Sequence, residues 1–159
     1  MKRFTQLVYV GLLWGLTILS PCWALEKITP EALDALLTEH STYMMQKEPE
    51  ALLNLFSARY QQKNLAHDKI LTKAELTKIY KNNLMIAKLI ISKIDLLDSH
   101  ISENGQHAQI KLHLFSRYLL EFEGRQNILT QEEDWLSDVG LENGKLVYLH
   151  TEQTAAAKH

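Results

Sequence analysis

The sequence predicts an α+β fold in which N-terminal helices pack on a curved antiparallel sheet. In the first half of the chain, apolar residues recur at three- and four-residue spacing, which is typical of amphipathic helices. After about Ala87 the apolar period changes to two, as expected for strands with one buried face. The pairs Asn104-Gly105 and Asn143-Gly144 favour tight hairpin turns. Because tight turns join antiparallel neighbours, we expect an antiparallel sheet with the helices on its apolar face.

Three helices are predicted before the change of period. The first begins at Thr29-Pro30-Glu31, where a capping side chain precedes a proline, and runs to about Gln46. Pro49 interrupts it, and residues 50–56 form a second, short helix. The capping box Thr72-Lys-Ala-Glu75 starts a third. The buried stripes of the two longer helices consist of Leu33, Leu36, Leu37, His40, Tyr43 and Met44, and of Leu76, Ile79, Tyr80 and Leu84.

The strands are predicted from alternation and turns. Residues 57–70 are polar and read as a short strand or a connection, and residues 89–98 form a strand rich in Ile and Leu. The longest alternation follows in residues 107–122, where the even-numbered positions must face the core. Further strands are expected at residues 126–138 and 145–153, and the small, polar tail 154–159 is expected to fray.

Residues 1–24 have the pattern of a secretory signal peptide. Lys2 and Arg3 precede an apolar run over residues 7–19, and Cys22 and Ala24 offer small residues before a cut at Leu25. The run is shorter than the roughly 20 residues that a spanning helix needs, so we expect cleavage, no membrane insertion afterwards, and a periplasmic or secreted protein. A second reading treats residues 19–22 as a lipoprotein box with a lipidated Cys22, although Pro21 departs from that pattern.

Composition excludes several classes of function. Cys22 is the only cysteine, so cleavage leaves no disulfide and no thiolate. The 17 basic side chains, less Lys2 and Arg3, leave 15 against 19 acidic ones, a net charge of −4. With no basic cluster, nucleic acid is not an expected partner. His107 and His113 share a strand face but lie about 20 Å apart, too far to share a metal ion. No motif indicates another cofactor, so neither a metal nor a cofactor is expected. The run Glu132-Glu133-Asp134 is read as a solvated surface.

Three segments carry a resemblance to a known family: Glu48 to Phe56, the pair Asp134-Trp135, and Asn143 to Tyr148. Together with the order of elements, they make residues 30–152 resemble the nuclear transport factor 2-like superfamily, which includes ketosteroid isomerase and the SnoaL-like proteins. The resemblance implies one cone-shaped domain over residues 25–153, with a pocket between helices and sheet. It also implies a homodimer through the sheets, for which Phe115 and Leu119, on the otherwise polar strand face, are the candidate interface.

The candidate pocket residues are His40, Tyr43, Met44, Tyr118, Asp134 and Trp135, although a histidine and aromatics at these spacings more often belong to a plain core. The base position of the ketosteroid isomerases falls at Asn64, which cannot take a proton, and Asp68 would replace it only in a shifted alignment. Our leading interpretation is therefore non-catalytic binding of a small apolar ligand or a protein partner. One alternative is a small isomerase or dehydratase using His40 and Asp134. The other is an accessory subunit of an envelope complex, with the pocket filled.

Overall fold

The computed structural model describes residues 24–65 and 70–158, apart from the side chains of residues 122, 157 and 158. The predicted signal peptide lies outside the described residues except for Ala24, and so does Asp68. None of the helices in the described part is both long enough and apolar enough to span a bilayer.

The predicted α+β class is confirmed. The elements are α1 Pro30–Gln46, α2 Pro49–Leu53, β1 Phe56–Lys63, β2 Ile70–Thr72, α3 Lys73–Ile86, β3 Ala87–Ile101, β4 His107–Phe122, β5 Arg125–Glu142 and β6 Lys145–Lys158. Helix gives way to strand at Ala87, where the change of apolar period places it. The second helix is shorter than predicted: it ends at Leu53, and Phe56 is already the first residue of β1.

The ends of the helices follow their local sequence. The Thr29 side chain accepts a hydrogen bond from the Ala32 N–H at 3.2 Å, which caps α1. At the other end, Lys47 adopts a left-handed conformation with φ of 58° and donates its N–H to carbonyls of the last turn. The capping box of α3 is present in full, with Thr72 and Glu75 bonding reciprocally. These caps satisfy backbone groups at the helix ends that have no partner within the helix.

The sheet has six strands in the order β2-β1-β6-β5-β4-β3. All neighbouring pairs are antiparallel except β1 and β6, which are parallel, so the prediction of a purely antiparallel sheet is wrong at this pair. Tight turns dictate the direction of consecutive strands only. A long connection containing β2, α3 and the strands β3 to β5 separates β1 from β6, and it leaves their relative direction open.

The last strand also extends beyond its predicted end. We expected the tail 154–159 to fray, but β6 continues to Lys158 and pairs with Gln131 to Asp134 of β5. Backbone pairing needs no apolar side chains, and the long β5 offers backbone partners to its whole length. The small tail residues therefore form strand rather than loose chain.

Alternation along β4 is confirmed. Ala108, Ile110, Leu112 and Ser116 are buried against the helices, whereas Lys111 and its odd-numbered neighbours face outward. Leu114 and Tyr118 point the same way as the buried set but stay half-buried, because they border an internal cavity. Ile79 of α3 is likewise less buried than predicted, at 39% exposed, and it borders the same space.

Candidate functional site

A cavity of about 210 Å³ lies between the helices and the inner face of the sheet. Alternate residues of each strand point into it, because successive side chains of a strand face opposite sides. Its wall includes His40 and Met44 from α1, Phe56, Tyr60 and Gln62 from β1, Leu76 and Tyr80 from α3, Leu112, Leu114 and Tyr118 from β4, Glu133, Trp135 and Ser137 from β5, and Tyr148 and Thr151 from β6. The cone predicted between helices and sheet is thus open.

One wall of the cavity is a cluster of packed rings centred on Phe56. The centroid of its ring lies 4.6 Å from that of Tyr60 in an edge-to-face arrangement and 5.1 Å from that of Tyr148 in a stacked one. His40 meets the edges of both Phe56 and Tyr148, with centroid distances of 5.8 and 5.6 Å. Such contacts hold rings in fixed orientations, so this wall is preorganised.

His40 is a neutral hydrogen-bonding group in this setting. Its Nδ1 lies 3.2 Å from the Tyr148 hydroxyl, and the donor of this bond depends on the histidine tautomer. Burial lowers the pKa of His40 to about 4, and no neighbouring carboxylate opposes that shift. A histidine that serves as a general base is usually oriented by an acid, which raises its pKa. Among the described residues, His40 has no such acid.

The phenols around the cavity also stay protonated. Burial raises the pKa of Tyr60, Tyr80, Tyr118 and Tyr148 above the usual value for tyrosine. At Tyr80 and Tyr118, the negative charge of Glu133 adds to this rise, so the three side chains lie within electrostatic reach of one another. Their hydroxyls can therefore donate hydrogen bonds at neutral pH.

Among the residues that the structure describes, Glu133 supplies the carboxylate of the cavity wall. The Trp135 Nε1–H donates to Glu133 Oε2 at 3.0 Å, which ties the acid to the indole beside it on the strand. The prediction that Asp134 belongs to the pocket is wrong. Alternation turns Asp134 to the outer face, where its Oδ1 lies 2.7 Å from His113 Nδ1.

The structure brings together four of the six predicted pocket residues: His40, Met44, Tyr118 and Trp135. Tyr43 lies beside the core on α1 but outside the cavity wall. Whether any of these side chains binds a ligand stays a prediction. Sequence reasoning missed Glu133, although a signal was present: once Trp135 is placed inward, the residue two positions earlier must point inward as well.

A polar chain occupies the β1 side of the cavity. The Tyr60 hydroxyl donates to Gln62 Oε1 at 3.3 Å, and Gln62 Nε2 donates to Asn64 Oδ1 at 2.8 Å. Asn64, at the position where the resemblance puts the base of the isomerases, does border the cavity. An amide there binds and orients but cannot accept a proton at neutral pH.

The outer sheet face holds the predicted interface residues. Phe115 and Leu119 are half-buried there, and Leu119 lies in register between Leu89 and Ile128, which are 53% and 66% exposed. The homodimer itself remains a prediction. Within residues 24–65 and 70–158, no three His, Cys, Asp or Glu side chains are placed to share a metal ion.

Comparison with known proteins defines the fold. No family model matches the sequence, and no curated protein matches it either. Solved structures do match: a conserved protein from Planctomyces limnophilus has a TM-score of 0.71 and 12% identity, covering 81% of this chain and 96% of its own. A candidate scytalone dehydratase from Novosphingobium aromaticivorans has a TM-score of 0.68 and 11% identity, covering 81% of this chain and 86% of its own. A candidate dehydratase of the NTF2-like family from Streptomyces avermitilis has a TM-score of 0.60 and 12% identity, covering 77% of this chain and 93% of its own.

The chain therefore has the nuclear transport factor 2-like fold, as the sequence resemblance implied. At these identities the likeness establishes the fold and leaves the chemistry of the cavity to be argued from its own residues.

Proposed function

We propose that this protein binds a small, largely apolar molecule in the cavity between helices and sheet, without transforming it. The observation that carries the proposal is the open, aromatic cavity itself, with His40 neutral and bonded to a tyrosine rather than to an acid. Small-molecule sites in proteins are typically apolar hollows with a few well-placed polar groups. The Tyr60–Gln62–Asn64 chain and Glu133 supply such groups here.

The size of the cavity limits the ligand. A dry cavity of about 150 Å³ accommodates benzene, and drug-sized ligands occupy about 300 Å³ or more. At about 210 Å³, this cavity suits one ring with a few substituents. The open space also argues against the accessory-subunit interpretation, which requires side chains to fill the cone.

The test is a thermal-shift screen with single-ring aromatics such as phenol, cresols and benzyl alcohol. Binding stabilises the folded state by about 2.7 kcal/mol at a hundredfold excess over Kd. In Leu114→Trp, a larger side chain enters the cavity, so the ligand-induced shift should disappear. Phe115→Trp introduces the same side chain on the outer face of the same strand and should keep the shift. If no ring compound stabilises the unsubstituted protein, or if both variants respond alike, binding in the cavity is refuted.

The second candidate is a small dehydratase or isomerase working in the same cavity. Two observations favour it: structural neighbours described as dehydratases, and the presence of Glu133 where sequence reasoning had placed Asp134. Dehydration needs a base for the carbon-bound proton and an acid for the departing hydroxyl. Glu133 would be the base, and the protonated Tyr80 or Tyr118 beside it would be the acid.

Turnover separates this candidate from plain binding. A screen of small cyclic hydroxy ketones, followed by absorbance of the conjugated product, should show no activity if the protein only binds. Activity that disappears in Glu133→Gln and persists in Glu132→Gln would establish the enzyme instead, because Glu132 faces outward on the same strand.

A further inference from the structure

A row of five polar side chains lies along one side of the cavity. Tyr60, Gln62 and Asn64 occupy alternate positions along β1 and just beyond its end, so they face the same side of the sheet. Thr151 of β6 is in register with Gln62, and Ser137 of β5 is in register with Thr151. All five border the cavity, and all except Asn64, which is half-buried, are buried. We call these side chains the polar row.

The hydrogen bonds of the polar row run in one direction. The Tyr60 hydroxyl donates to Gln62 Oε1 at 3.3 Å, and Gln62 Nε2 donates to Asn64 Oδ1 at 2.8 Å. Burial raises the pKa of Tyr60, and a hydrogen bond with Thr151 opposes that rise, as expected for a bond that the phenolic oxygen accepts. A threonine hydroxyl has one hydrogen, so Thr151 in turn accepts from Ser137, whose Oγ lies 3.0 Å from Thr151 Oγ1.

This direction decides which group of the Asn64 amide remains for a ligand. A side-chain amide accepts through its oxygen and donates through its nitrogen. Asn64 Oδ1 already accepts from Gln62, and within residues 24–65 and 70–158 no acceptor is hydrogen-bonded to Asn64 Nδ2. An N–H that loses water without gaining an acceptor costs free energy. An occupant of the cavity therefore binds more tightly if it offers an acceptor to Asn64.

We propose that the ligand of this cavity is an aromatic carbonyl compound whose oxygen accepts a hydrogen bond from the Asn64 amide. This inference rests on the proposed binding function and specifies the polar group of the ligand. The ring of such a molecule fits the aromatic part of the cavity, and its carbonyl oxygen lies at the Asn64 end of the polar row.

Two probes of the same shape test the inference. Acetophenone and α-methylstyrene share one arrangement of heavy atoms, but only acetophenone carries an oxygen acceptor. Their dissociation constants are measured by chemical-shift titration of the isotope-labelled protein. Asn64→Leu removes the donor at nearly unchanged size, so acetophenone should bind about three- to tenfold more weakly and α-methylstyrene at least as tightly as before. Asn82→Leu, at an exposed position of α3 outside the cavity wall, should change neither constant.

A second variant, Asn64→Asp, removes the donor and keeps the acceptor. At pH 7.5 its carboxylate still accepts the bond from Gln62 Nε2 but has no hydrogen to donate. It should weaken acetophenone binding at least as much as Asn64→Leu does. Because Gln62 retains its partner, this variant also provides the test if Asn64→Leu does not fold.

The outcomes distinguish this inference from the function on which it rests. If Asn64→Leu changes both constants by the same factor, or changes neither, the carbonyl preference is refuted and the binding function stands. The same holds if neither probe binds although ring compounds of the thermal-shift screen do. If the probes and that screen are all silent, both proposals fail. Acetophenone binding that is weakened in Asn64→Leu but intact in Asn64→Asp would refute the donor role of the amide.

Discussion

At the scale of single residues, the histidine of the cavity wall has the clearest physical consequence. His40 packs edge-on against Phe56 and Tyr148, and burial lowers its pKa from an ordinary value of 6.5 to about 4. The folded state therefore resists protonation of this ring more than the unfolded state does. Its position on the apolar stripe of α1 was predictable from spacing, but its tyrosine partner, 108 residues away, was not.

This difference makes stability depend on pH. Above about pH 7 the ring is neutral in both states, and as pH falls from 6.5 towards 4 the unfolded state takes up the proton first. The free energy of unfolding should fall across that window by up to about 3 kcal/mol. Urea denaturation at pH 7.5 and pH 4.5 measures the loss. His40→Gln should remove most of it, and His113→Gln, on the outer face, should not; an equal loss in His40→Gln would contradict the assignment.

At the scale of elements, local patterns predicted individual strands well and their distant pairings poorly. Alternation located β4, and the Asn-Gly pairs located the turns before β4 and before β6, because each signal acts within a few residues. The parallel pairing of β1 with β6 joins Gln61 to His150, and no local pattern encodes a contact so distant in sequence. The error of placing Asp134 rather than Glu133 in the pocket has a different origin. The two-residue alternation of β5 was predicted, but it was not used to decide which side chains share the inward face of Trp135.

Paired substitutions test which side chains of β4 face the core and which face outward. Leu112 is 5% exposed under the helices, so Leu112→Ala should lower the free energy of unfolding by about 2–5 kcal/mol through lost burial and a new void. Lys111 faces outward, and its 4.0 Å contact with Asp98 is exposed at both ends. Lys111→Ala should therefore change stability by no more than about 0.5 kcal/mol. Comparable losses in chemical denaturation would show that the register of β4 is wrong.

At the scale of the whole molecule, the residues that follow the proposed cleavage point contact the sheet. The Leu25 N–H donates to the Gly144 carbonyl at 2.9 Å, and the Ile28 N–H donates to that of Gly105, so residues 25–28 lie against the turns that contain Gly105 and Gly144. Gly105 and Gly144 have φ of 69° and 72°, which side-chain-bearing residues rarely adopt. A chain starting at Leu25 keeps these contacts.

Export and processing are proposals at this scale. Intact-mass measurement of protein recovered from the native envelope or medium should give a chain beginning at Leu25, since the apolar run is too short to span a membrane. A mass that includes residues 1–24 would contradict cleavage. A mass that carries a lipid on Cys22 would support the lipoprotein alternative in its place.

The central claim is that the cone between helices and sheet is open and takes a small ring compound. Crystals soaked with a heavy-halogen benzene such as iodobenzene test it most directly, because anomalous scattering locates the iodine without ambiguity. The account predicts a peak inside the cavity of about 210 Å³, near Trp135 and Phe56. A cone filled by its own side chains, with iodine bound only on the outer surface, would contradict it.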